Sequence, residues 1–190
     1  EGTASAFTNV SELGSDGFWV LEPAEQAAYK TRIVVYSPVD PADFNGIVQM
    51  EWLNVTAGFE TPPSWGTGQL EMRRGGSVWV GVSAQLTGIE GSERALLPLH
   101  LKAVDPARYG SLLHPGDSFS YDMFSQVANA IRNPGAIDVL GGLTAEYIIA
   151  YGESQSAGRL VTYVNGLQPL YGTFDGYMIH SRGDGASPIS

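Results

Sequence analysis

Five short apolar runs limit what this chain can become: Thr31-Arg-Ile-Val-Val-Tyr36, Gly46-Ile-Val-Gln-Met-Glu-Trp-Leu53, Ser77-Val-Trp-Val-Gly-Val-Ser83, Tyr147-Ile-Ile-Ala-Tyr151 and Gly176-Tyr-Met-Ile-His180. Several are continuous rather than alternating in polarity, the pattern of strands covered on both faces. Helical patterns stand between them. Phe119, Met123, Val127 and Ile131 recur every four residues and predict a helix with Asp117 or Ser118 as N-cap, stopped by Asn133-Pro134-Gly135. Ala157, Leu160, Val161 and Val164 mark one face of a helix from Gln155 to Asn165, with Gly166 as its C-cap. Trp65 to Arg74 reads as a third helix despite Gly66 and Gly68, and Pro41 to Gly46 reads as a turn. Strand and helix in alternation predict an α/β fold, a mostly parallel sheet with helices on both faces. The stretch from Gln85 to Leu113 has little periodicity, and irregular segments of that length are often functional.

Composition narrows the function classes. A chain of 190 residues that is 43% apolar and 16% charged has the makings of one globular domain, or part of one. Ten Lys and Arg against twenty Asp and Glu leave a net charge of −10, which argues against a nucleic-acid partner and against docking on anionic lipid. No run approaches the roughly 18 apolar residues of a membrane-spanning helix. A soluble chain is therefore expected, exported or cytoplasmic. The absence of cysteine excludes disulfides, thiolate metal sites and cysteine nucleophiles. No His/Asp/Glu cluster has metal-ligand spacing and no Gly-rich phosphate loop follows a strand, so neither a metal nor a cofactor is implied.

One segment carries chemistry: Tyr147-Ile-Ile-Ala-Tyr-Gly-Glu-Ser-Gln-Ser-Ala-Gly-Arg159. A buried strand runs into Gly152-Glu-Ser-Gln-Ser156 and a helix begins at once, the setting of a nucleophile elbow. A sharp turn there strains Ser154 and lifts its Oγ clear of the sheet. Small residues two before and two after let strand and helix approach closely. The helix N-terminus offers backbone N–H groups, Gln155 first, to a developing oxyanion. The pattern departs from G-x-S-x-G in having Ser156 as its second small residue, which makes Ser156 a rival nucleophile. Ser154 is preferred because Ser156 falls inside the predicted helix. An ordinary turn with N-capping serines is the competing reading. Glu153, beside the nucleophile, is a candidate either to tune the site or to face solvent.

The elbow, together with Tyr29-Lys-Thr-Arg-Ile-Val-Val35, Phe44-Asn-Gly46, Glu51-Trp-Leu-Asn-Val55, Gly81-Val-Ser-Ala-Gln85, Tyr109-Gly-Ser111, His114-Pro-Gly-Asp117 and Ser120-Tyr-Asp122, resembles a bacterial α/β-hydrolase-domain family from about Gly2 to Gly183. The resemblance implies an α/β-hydrolase fold and a serine hydrolase acting on a small-molecule ester, and no particular substrate. It implies that the turn after the second run, at Asn54 or Val55, supplies the other half of the oxyanion hole. In this superfamily the order along the chain is nucleophile, acid, histidine. Only one strand follows Ser154, so the resemblance places the histidine, and the usual acid, beyond residue 190. Residues 1–190 are then the N-terminal and central part of one domain, incomplete at the C-terminus and at the N-terminus. The remainder of the same polypeptide is its expected partner, and the chain alone is expected to be inactive. Asp184 is the acid candidate within the chain, because some α/β-hydrolases carry the acid after this strand. His180 ends that strand and His114 precedes a helix; each is a candidate to line the pocket or to serve the core or a loop. The segment from Gln85 to Leu113 is expected to form part of a lid or substrate wall. Two other readings stand beside the esterase: a non-catalytic binding or assembly module that keeps the fold, and an acyltransferase using the same nucleophile.

Overall fold

The computed structural model describes residues 1–93, 95 and 97–189. Its centre is a five-stranded sheet of β3 (Ile33–Tyr36), β4 (Ile47–Trp52), β5 (Val78–Val82), β6 (Tyr147–Glu153) and β7 (Gly176–His180), in the spatial order β3-β5-β4-β6-β7. Four strands run parallel, and β3 closes one edge antiparallel to β5. These are the five apolar runs, and β6 extends two residues past the predicted end, up to the elbow.

Register explains how both faces are filled. Val48 aligns with Val78 and Ile148, and Met50 with Val80 and Ala150, so one parity of side chains forms a single apolar surface. Tyr121, Phe124, Val127, Ala128 and Ile131 of α5 (Ser120–Arg132) pack there, with Leu160 of α6 (Gln155–Thr162). The opposite parity, with Leu53, Trp79 and Tyr151, meets Trp65 and Met72 of α1 (Pro63–Arg74). Trp52 is wholly buried between the rings of Tyr121 and Phe124.

The sequence reading is corrected in four places. An antiparallel hairpin of β1 (Gly2–Asn9) and β2 (Leu21–Tyr29) precedes the sheet and was not expected, because Leu21-Glu-Pro-Ala-Glu-Gln-Ala-Ala-Tyr29 carries no β-branched residue. Pro23 is tolerated because it lies opposite the irregularity in β1 between Ser5 and Phe7. Asp117 does not cap α5: a 3-10 turn, Asp117–Phe119, intervenes, and the Asp117 carboxylate goes elsewhere. Gly166 is not a C-cap: α6 passes into a π turn at Tyr163–Leu167 and then α7 (Gln168–Tyr171), and the left-handed cap is Gly172. The stretch from Gln85 to Leu113 contains α2 (Leu86–Glu90), α3 (Leu101–Val104) and α4 (Pro106–Tyr109), while Arg94 and Leu96 within it lie outside the described residues. No helix among the described residues is long and apolar enough to cross a membrane.

Candidate active site

The junction of β6 and α6 has the geometry that an elbow demands. Ser154 adopts φ 56° and ψ −112°, one of two non-glycine residues with positive φ among those described, and its side chain is exposed. Such a conformation costs a residue with a Cβ about 1–3 kcal/mol and persists only when its surroundings enforce it. Here they do. The Ser154 N–H donates to the His180 carbonyl at 3.1 Å, which ties the turn to the end of β7. Gly152 lets the helix close down on the strand, since a Cβ there would stand 2.7 Å from the Ser156 carbonyl oxygen and 2.9 Å from Leu160. Ser156 is buried inside α6, and its hydroxyl lies 3.5 Å from Gln155 Oε1.

The turn after β4 reaches the elbow through Asn54, whose side-chain N–H donates to the Glu153 carbonyl at 2.9 Å. The backbone N–H of Asn54 is already taken up by the Thr61 carbonyl at 3.0 Å, so it is not free to hold an oxyanion. That expectation is corrected. The N–H groups of Val55 and of Gln155, the first residue of α6, donate to no described residue. Thr56 N–H bonds Asn54 Oδ1 at 2.8 Å, which shapes the same turn.

A buried amide that sequence reasoning missed joins these pieces. Gln85, three residues past the end of β5, donates through Nε2 to the Leu53 carbonyl at 3.1 Å and to Gln155 Oε1 at 3.0 Å. Its Oε1 accepts from Gln155 Nε2 at 2.6 Å. Glu51 was missed too. It is fully buried, and its carboxylate accepts from Ser64 N at 2.7 Å, Trp65 N at 3.0 Å and Trp79 Nε1 at 2.9 Å. It thus caps the N-terminus of α1, where negative charge is favoured. Burial pushes its carboxyl above the ordinary range while these three donors pull back. The available signal for Glu51 was a lone carboxylate inside an apolar strand, a group that must find donors. Gln85 gave no comparable local signal.

The other candidates disperse. His114 is buried and its ring is fully occupied: Nδ1 accepts from Gly116 N at 3.2 Å, which leaves Nε2 to donate to the Ala84 carbonyl at 3.0 Å. Burial holds its pKa below the ordinary histidine value. It fastens a loop. Asp117 accepts from Leu86 N through Oδ1 at 2.8 Å and pairs through Oδ2 with Arg159 of α6 at 2.8 Å. The His180 main chain meets Ser154, yet its ring lines a cavity of about 540 Å³ on the α1 side of the sheet with Ser64, Tyr151 and Met178. Asp184 is exposed and lines a cavity of about 590 Å³ with Asp16, Trp19, Val161 and Val164, a group that does not include Ser154. The acid expectation for Asp184 has no geometric support here. Glu153 is half-buried and contributes its carbonyl to the Asn54 link.

A strained serine between a parallel strand and a helix, on a five-stranded sheet with one antiparallel edge, agrees with a family comparison. The family model described as "Alpha/beta hydrolase domain" matches residues 1–190. The chain belongs to that family. It is a hydrolase-fold protein, and its mostly parallel sheet and covering helices are the family's architecture. No curated protein and no solved structure matches it.

Proposed function

We propose that this chain carries the nucleophile of a serine hydrolase acting on carboxylic esters, with Ser154 forming the acyl-enzyme. The observation that carries the reading is the backbone of Ser154, φ 56° and ψ −112°, with an exposed side chain at the N-terminus of α6. In the proposed reaction Ser154 Oγ attacks the ester carbonyl carbon as its proton passes to a histidine acting as general base. The oxyanion is held by the N–H groups of Gln155 and Val55. Collapse expels the alcohol, which takes the proton back from the histidine, and water then attacks the acyl-enzyme by the same route. The general base is assigned to a histidine beyond this chain, because His114 has both ring nitrogens occupied and neither His100 nor His180 hydrogen-bonds Ser154. The orienting acid is assigned beyond the chain as well, since Asp184 lines a different cavity. A second reading, a non-catalytic member of the fold, is favoured by that same lack of a histidine on Ser154.

Treating the native protein with a fluorophosphonate, with intact mass and mapping of the labelled peptide, separates the two. A single adduct on Ser154 is expected. An adduct on Ser156 keeps the enzyme and moves the nucleophile, and the absence of any adduct leaves the binding module standing.

A further inference from the structure

The Gln85 amide is 1% exposed and sits among the ends of β4, β5 and β6. A side chain needed only to fill this space would be apolar, because burying an amide costs free energy unless every polar atom is partnered. Gln85 meets that condition. The Leu53 carbonyl can only accept, which fixes the sense of the amide: Nε2 faces Leu53, and Oε1 is turned to Gln155. The second Nε2 hydrogen then reaches Gln155 Oε1, so the two glutamines exchange hydrogen bonds in both directions, at 3.0 and 2.6 Å. Leu53 leads directly into Asn54-Val55, and Gln155 directly follows Ser154.

We infer that Gln85 is a positioning residue, an internal clamp that holds the Val55 and Gln155 N–H groups in one fixed relation. The inference rests on the serine-hydrolase reading and adds to it the residue that sets its oxyanion geometry. A donor pair contributes to the transition state only if it is aligned before charge develops, and a misplacement of about 1 Å can lower a rate about a hundredfold. Gln85 touches no reacting atom. It acts through the two elements it joins, the turn after β4 and the start of α6; the β4–β6 ladder ends at Glu51–Tyr151, and past that pair this contact and the Asn54–Glu153 link bridge them. Gln155 thereby has two separable functions, a backbone N–H toward the oxyanion and a side chain toward the clamp.

The test measures fluorophosphonate labelling of Ser154 on the native protein over a range of probe concentrations, for wild type, Gln85→Leu, Gln155→Leu and the double variant. The expected result is a maximal labelling rate about 10- to 100-fold lower in each single variant, with the probe concentration for half-maximal rate unchanged. The double variant is expected to be no slower than the slower single one, since either substitution already opens the clamp. Should Gln85→Leu fail to fold, Gln155→Leu, at a half-buried position, carries the test alone. A maximal rate within about twofold of wild type, or losses that multiply in the double variant, overturns the inference. If wild type takes no label, the hydrolase reading has failed and amide hydrogen exchange decides on the clamp. Faster exchange at the hydrogen-bonded N–H groups next to the pair, Asn54 on the Thr61 carbonyl and Ser154 on the His180 carbonyl, in Gln85→Leu upholds it; unchanged exchange at either overturns it.

Discussion

Replacing Ser154 by glycine should make the protein more stable. Its φ of 56° and ψ of −112° lie outside the regions open to a residue with a Cβ, a conformation that costs about 1–3 kcal/mol. Glycine adopts it without that cost. Little opposes the gain, because the side chain is exposed and makes no hydrogen bond to any described residue. The added freedom of glycine in the unfolded chain takes back about 0.4–1 kcal/mol. The balance, about 1 kcal/mol, corresponds to about 2–4 °C in Tm for a chain of this length. Ser154→Ala keeps the strain and removes only the hydroxyl, so it should unfold with wild type. Thermal unfolding of the three proteins by circular dichroism is the assay, and the order expected is glycine above alanine and wild type. If Ser154→Gly melts at or below Ser154→Ala, the backbone at the elbow is not strained, and the argument for Ser154 as an enforced nucleophile loses its physical basis.

Glu51→Gln should lower stability by about 2 kcal/mol in denaturant unfolding, because a single amide oxygen cannot accept all three donors and one of Ser64 N, Trp65 N and Trp79 Nε1 is left unpaired; an unchanged midpoint would mean that the carboxylate does not hold α1. Asp117→Ala leaves the largely buried Arg159 without its counterion and Leu86 N–H without an acceptor, and should cost about 1–3 kcal/mol, discounted from the buried-pair value because the aspartate is 36% exposed. A loss under about 0.5 kcal/mol would place that pair among ordinary surface contacts. The folded state holds His114 neutral, so between its lowered pKa and the unfolded value of about 6.5 the unfolded chain binds more protons, and stability should fall as pH drops through that window. Glu90, Asp117 and Arg159 face the same ring, and Glu51 and Glu60, raised by burial, act in the opposite sense by taking up protons on folding. Tm measured against pH for wild type and His114→Gln isolates the term, the expected outcome being a flatter acid limb in the variant.

What could be read from the sequence was local. The five sheet strands announce themselves because each is a short, mainly apolar run. The elbow does so because strand, small residue, serine and helix follow one another within thirteen positions. What escaped was set by partners distant along the chain. Asp117 looks like a helix cap, and its oxygens instead reach Leu86 and Arg159, 31 and 42 residues away. The β1–β2 hairpin has no β-forming composition on its second strand and is held by α5 and the 3-10 turn before it, through Ser5 N–H on Asp122 Oδ2 at 2.6 Å and the packing of Ala4, Ala6 and Tyr29 on Phe119 and Met123. The helix after the elbow runs through Gly166 because Leu21 of that unforeseen hairpin packs where a Cβ would point, so the glycine answers a tertiary contact rather than ending a helix.

The order β3-β5-β4-β6-β7 also explains why the candidate site falls where it does. From β4 the chain crosses by α1 to β5 on one side, whereas β6 lies on the other side of β4 and continues by α6 to β7. The two connections leave neighbouring parallel strands toward opposite faces, since α1 packs on the Trp79 and Tyr151 surface and α6 on that of Ile148 and Ala150. A crevice must open between the carboxyl ends of such a pair, and in open α/β sheets ligands bind there. Asn54 and Val55 stand at the mouth of one strand and Ser154 and Gln155 at the mouth of the other. The backbone ladder between β4 and β6 ends at Glu51–Tyr151, short of the crevice. The Asn54–Glu153 bond and the Gln85–Gln155 pair cross it instead, and they are the contacts whose loss should change chemistry before it changes the fold.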